Sequence, residues 1–208
     1  MDRDQLVRDC PTVYHMADGD SWPNIRKYGL MSTSALLDLF EKRGAERFSL
    51  ESEWRPHSVT ITHPVHGNAV IRDQKPMPEN GLRQVLKGMT TRQWYELINR
   101  KTFFWGSWTR LSWMLSAYRD SPHCVLFVET RALLERHMGE MSLTDQNSGS
   151  IYSNRTRGAD TFRSIGEFNS RYVAELAIDY KVSDIVDLTI KVELWKGDAK
   201  LGQVWSRS

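Results

Sequence analysis

Short apolar strand patterns recur along this 208-residue chain at uneven distances, and that order constrains the fold more than any other feature. They are "TVYHMA" (12–17), "AVIRDQ" (69–74), "KTFFW" (101–105), "CVLFVET" (124–130), "SRYVAELAID" (170–179) and "IVDLTIKVEL" (185–194). β-Branched and aromatic residues, or two-residue alternation, mark these runs as strands. Helix patterns lie between them. The first, at 20–30, has Asp20 or Ser21 as cap, Pro23 in the first turn and Gly29 at its end. A second, at 32–44, has Ser32 or Ser34 as cap and Gly44 as stop. Others cover 79–88, 90–100, 107–120 and 130–138. Residues 45–68 and 139–169 read as irregular, and the tail after 194 as peripheral. Such spacing lacks the regular βαβ beat of a doubly wound sheet and predicts an α+β fold, in one domain spanning 1–208. GxGxxG, GxxxxGK[ST] and GxSxG motifs are all missing, so the common nucleotide-binding and hydrolase folds have no support.

The strand "SRYVAELAID" contains an anomaly. Alternation puts Val173, Glu175 and Ala177 on one face and Ala174, Leu176 and Ile178 on the other. A carboxylate within an apolar strand is costly unless it is solvated or paired. Two readings follow: an edge strand with Glu175 facing water, or a cleft whose ligand meets Glu175.

Composition narrows the classes. With 40% hydrophobic residues the chain can build a sizeable core. Lys and Arg (28) nearly balance Asp and Glu (26), so bulk charge does not force a nucleic-acid partner, although a local basic patch permits one. Cys10 and Cys124 stand outside any metal or redox spacing, which fits a reducing, cytoplasmic setting. The polar start "MDRDQLVRDC" is unlike a signal peptide, and no run reaches the roughly 18 apolar residues of a membrane helix. His57, His63 and His66 lack a supporting ligand pattern and read as surface residues rather than a metal site.

Three stretches form an ordered set: "YHM" with "YGLMSTS" (14–34), "NRKTFFW" leading into the helix at 107–120, and "VAELAID". The set resembles the ADP-ribosyltransferase superfamily over residues 12–190. Within it, the chain is most similar to DarT-type toxins and a related uncharacterised bacterial and phage domain family. The resemblance implies an α+β fold whose split β-sheet clasps NAD as co-substrate. It implies cofactor contacts from His15 (adenosine-side ribose), Gly29, Ser32, Arg110 and one or more of Phe103, Phe104 and Trp105 (nicotinamide). It implies Glu175 as the catalytic carboxylate and Arg72, in the interval before the aromatic strand, as an arginine serving NAD and catalysis. Taken singly, His15 also reads as a satisfied core histidine and 103–105 as core. Val173 stands where arginine-modifying relatives carry Glu or Gln, which argues against an arginine acceptor.

In this superfamily the loop before the Glu strand reads the acceptor. Here it offers Asn147, Tyr152, Arg155 and Arg157. Guanidinium groups interleaved with aromatic rings suit single-stranded DNA or RNA; a mobile polar surface loop is the other reading. The resemblance therefore implies a toxin or phage-defence effector that modifies nucleic acid, with a protein antitoxin as a possible partner. The rivals are a non-catalytic dinucleotide-binding module and a metal-dependent nuclease built on the Asp73-x-Lys75 spacing.

Overall fold

The computed structural model describes residues 1–207. The protein is α+β, with nine α-helices among the described residues and a seven-stranded antiparallel sheet. The sheet comprises β1 (Thr12–Asp18), β5 (Lys101–Trp105), β6 (His123–Glu129), β7 (Met141–Thr144), β8 (Glu175–Asp179), β10 (Thr189–Lys196) and β11 (Ala199–Ser206). Its order is β11-β10-β6-β1-β5-β8-β7. Two small ladders accompany it: β2 (Leu30–Met31) with β9 (Lys181–Val182), and the hairpin of β3 (Val59–His63) with β4 (Gly67–Ile71).

Alternation along the strands divides the core. Val13, Leu126, Val128, Leu176 and Ile178 face α1 (Arg3–Asp9), α2 (Trp22–Tyr28), α8 (Thr130–His137) and α9 (Ile185–Leu188), through Leu6, Ile25, Leu133 and Ile185. On the other face Met16 and Val125 pack on Leu111 and Leu115 of α7 (Trp108–Ala117). Ser107 caps that helix, its Oγ accepting from the Arg110 N–H at 3.4 Å. Two smaller clusters flank the sheet. One joins α3 (Thr33–Leu39) and α4 (Gly44–Glu51) to the β3–β4 hairpin; the other builds on α5 (Glu79–Val85) and α6 (Thr91–Asn99).

The sheet is nearly parted in its middle. β1 runs beside β6 for seven register pairs, and β5 beside β8 for five. Between β1 and β5 there is one pair, Tyr14 with Trp105. Beyond that pair the strands diverge, and a cleft enters the gap.

Several boundaries differ from the sequence expectation. Residues 45–68 hold α4 and β3, and 139–169 holds β7. The expected strand 185–194 opens as the short helix α9, and the peripheral tail pairs along β10 as β11. β8 is no edge strand: it lies between β5 and β7, so the reading in which Glu175 faces water does not hold. No helix among the described residues is long and apolar enough to cross a membrane.

Candidate functional site

The cleft has a volume of about 670 Å³ and runs from the parted strands to the β3–β4 hairpin and the 147–149 loop. That size suits a small molecule or cofactor, for which roughly 300–1,000 Å³ is usual. By alternation His15 belongs to the face of Val13, and Trp105 and Glu175 to the opposite face. All three line the same cleft, because it cuts through the sheet where β1 leaves β5.

Glu175 is 3% exposed and faces Trp105 on β5 and Thr144 on β7. Its Oε2 accepts from the Ser148 N–H at 3.1 Å and the Ser148 hydroxyl at 2.7 Å. Oε1 has no protein donor among the described residues. Burial pushes the carboxyl up to about 7, against the pull of the Ser148 donors and of Arg110 and Arg157. It is therefore poised to exchange a proton near neutrality.

His15 bridges the parting. Its Nδ1 lies 2.8 Å from the Phe103 carbonyl oxygen. Burial pushes its imidazole down to about 4, partly countered by that hydrogen bond. A carbonyl accepts only, so Nδ1 carries the proton and Nε2 is left as an acceptor at the cleft.

Arg72 follows β4 and enters the cleft wall beside β1. Its Nη2 donates to the Met16 carbonyl at 2.9 Å, on the strand edge that β5 has vacated. The guanidinium lies 5.2 Å from the centroid of the Tyr118 ring. No carboxylate stands within salt-bridge distance of it among the described residues. Burial lowers its pKa, with Tyr118 and Asp73 acting against that. A cation so placed, with donors left over, matches an anionic ligand. Nearby Arg55 also lines the cleft, but its donors go to Arg72 O, Leu50 O and Asn99 Oδ1.

The other expected residues divide. Phe103 and Trp105 form cleft wall, whereas Phe104 is fully buried in the opposite core and is not exposed to a ligand. Gly29 sits on the wall with φ of 86°, and a Cβ there would come within 2.8 Å of the Ser183 Cα. Ser32 lines the cleft and caps α3, its Oγ accepting from the Ala35 N–H at 3.2 Å. Asn147 reaches the wall beside Ser148. Arg110 lies outside the wall, 5.4 Å from the Tyr172 ring centroid.

The acceptor loop departs further from expectation. Tyr152 points to solvent, away from the cleft. Arg155 pairs with Asp145 at 2.8 Å. Arg157 is completely buried and donates to backbone carbonyls, so it cannot meet a substrate. Asp73 and Lys75 form a local turn in which the Lys75 N–H donates to Asp73 Oδ1 at 3.1 Å. Tyr118 and Ser58 also donate to that carboxylate. Among the described residues no three His, Cys, Asp or Glu side chains gather as a metal site. His57 is exposed, but His63 and His66 are half-buried and stack at 4.5 Å, with His66 bonded to the Tyr28 hydroxyl. Ser148, Tyr118 and Tyr172 were not expected from the sequence. The local signal that could have found Ser148 is the small polar run "NSGS", a composition that favours a tight turn.

A family model described as "Family of unknown function (DUF7002)" matches residues 11–195. The chain belongs to that family. The matched span of DUF7002 contains every cleft residue from His15 to Glu175 and leaves out α1 and β11. No curated protein matches the chain.

Proposed function

We propose that the protein is an NAD-dependent ADP-ribosyltransferase acting on single-stranded nucleic acid. One observation carries the reading. The Glu175 carboxyl and the Arg72 guanidinium, neither in an ion pair among the described residues, line the cleft that parts the sheet. The parted sheet is compatible with the clasp that the sequence resemblance implies.

The residues fit a dinucleotide. Arg72 has spare donors for a diphosphate. Neutral His15 offers Nε2 to a ribose hydroxyl, and Phe103 and Trp105 offer flat apolar surface to the nicotinamide. The reaction breaks the bond between ribose C1′ and the nicotinamide nitrogen, and the bonding electron pair leaves with nicotinamide. Positive charge passes to the ribose, as in glycoside cleavage. Glu175 stabilises that charge from a water-poor wall. An acceptor nitrogen or oxygen then bonds to C1′ and gives up its proton, which a carboxyl near 7 is suited to take.

The acceptor class rests on groups outside the cleft wall, near Arg110, whose charge acts on Glu175. Arg110 stacks on Tyr172, which is half exposed, and Arg155 neighbours the same tyrosine. Trp113, largely exposed, lies one turn along α7 from Arg110. Rings flanked by guanidinium groups suit bases and phosphates of a single strand. The test is incubation with labelled NAD and a panel of single-stranded DNA, RNA and protein. Label on nucleic acid with release of nicotinamide supports the reading. Folded protein that releases no nicotinamide with any acceptor overturns it, and NAD binding without turnover would mark a binding module instead.

A further inference from the structure

The loop before β8 carries a buried cation that the proposed chemistry does not use. Arg157 is 0% exposed, in a chain where most arginines reach solvent. Its backbone is pinned on both sides: its N–H donates to Val85 O at 2.8 Å, and its carbonyl accepts from the Lys87 N–H at 2.8 Å. From that anchorage the guanidinium reaches back into its own loop. Nη1 donates to Arg155 O at 2.6 Å, and Nη2 donates both to Asn147 O at 3.1 Å and to Ser150 O. Among the described residues no carboxylate stands within salt-bridge distance of it.

The two carbonyls that share Nη2 bracket Ser148, the residue that gives both its donors to Glu175 Oε2. Gly149 closes the turn, its N–H donating to Asn147 Oδ1 at 3.0 Å. Burying a guanidinium is expensive unless its donors are used. Here Nη1 and Nη2 are used to hold one turn of backbone against one carboxyl, while the buried Nε has no partner among the described residues.

We infer that Arg157 is a positioning residue: it clamps the 147–150 turn so that Ser148 presents two donors to Glu175, and thereby sets how readily Glu175 ionises. The charged groups acting on Glu175 are Arg110 from α7 and Arg157 itself. Its register neighbours, Trp105 on β5 and Thr144 on β7, carry no charge. Loosening the clamp removes donors that favour the carboxylate and moves its titration upward. The inference concerns the free protein and does not rest on the proposed reaction.

The experiment is a carbon-13 NMR titration of glutamate side-chain carboxyls without ligand, with the Glu175 signal assigned by its loss in Glu175→Gln. Wild type is compared with Ser148→Ala, Arg157→Met and Arg157→Lys. Ser148→Ala is expected to raise the Glu175 midpoint by about one pH unit or more. Folded Arg157→Met is expected to do the same. Arg157→Lys keeps the charge but cannot bracket both carbonyls, so it too is expected to shift upward, by less. An unchanged midpoint in Ser148→Ala overturns the inference, whether or not Arg157→Met folds. A shift in Ser148→Ala with none in a folded Arg157 variant removes Arg157 from the device and overturns its assignment. Failure of NAD transfer in wild type leaves this titration unaffected, so the two readings fail separately.

Discussion

His15 Nδ1 stands 2.8 Å from the Phe103 carbonyl oxygen, and this side-chain bond spans the strands that otherwise share only the Tyr14–Trp105 pair. It fixes the tautomer of a histidine that burial holds neutral, while burial acts in the opposite sense on Glu175 across the same cleft.

These opposed shifts predict an unusual pH response. His15 falls from the usual 6.5 to about 4 in the folded protein. Below 6.5 the unfolded chain takes up the proton first, so this contribution to stability is present above 6.5 and lost as pH falls towards 4. Glu175 rises from the usual 4.5 to about 7. Its contribution is full below 4.5 and is lost as pH rises towards 7. Between 4.5 and 6.5 the two slopes oppose each other. Urea unfolding across pH 4.5–7.5 should show Glu175→Gln gaining on wild type with rising pH, by about 3 kcal/mol over the full range. His15→Gln should lose ground over the same interval. Parallel curves for Glu175→Gln and wild type would mean that Glu175 titrates as an ordinary solvated carboxyl.

Glu175→Gln keeps the shape of the side chain and removes its charge. The proposed transition state carries positive charge at the ribose, so the loss falls on rate. Transfer is expected to drop at least about 100-fold, with NAD affinity changed by no more than a few fold. Retention of a tenth of wild-type transfer would exclude Glu175 as the catalytic carboxylate.

Arg72→Met separates binding from stability. Among the described residues Arg72 has no ion pair to lose, and its hydrogen bond goes to the Met16 carbonyl. Removing an uncompensated charge from a cleft wall should leave the thermal midpoint within a few degrees of wild type. Calorimetry should show NAD affinity weakened at least about 10-fold, in line with charge-assisted hydrogen bonds worth roughly 1.5–3 kcal/mol. Equal affinities would place the diphosphate elsewhere.

Gly29→Ala tests the turn between α2 and β2. The backbone there has φ of 86° and ψ of 170°, and an added Cβ would press on Ser183 and on the Val182 carbonyl. Strain of this kind costs about 1–3 kcal/mol before the steric contact is counted. Chemical denaturation should report at least that loss. A variant as stable as wild type would show that the turn adjusts freely.

The sequence made the central strands and the helices around them legible, because each has a strong apolar rhythm. β1, β5 and β6 and helices α2, α6 and α7 lie where the pattern put them, to within a few residues at their ends. β7 was hidden because "MSLT" is four residues long and gains its strand character from pairing with β8. β11 was hidden because it is an outer strand with little buried surface to write an alternation. Residues 59–63 do alternate, but the polar and His-rich surroundings masked them. At the site, Glu175 was readable as a charge where apolar residues belong. Arg155 and Arg157 look alike in "NRTRG", yet one pairs with Asp145 at the surface and the other is buried. That difference arises from the fold of the loop, and nothing local in the sequence encodes it.

The lone Tyr14–Trp105 pair gives the sheet a pivot. On one side lie β11, β10, β6 and β1; on the other lie β5, β8 and β7. Each plate is stiff along its own ladders, whereas the seam between them has few backbone bonds to resist twisting. A molecule lying across the seam, touching Arg72, which is bonded to β1 of one plate, and Glu175 on the other, would act as a splint. Its grip would be felt at both ends of the sheet, and amide hydrogen exchange along β1 and β5 would slow together when it is bound.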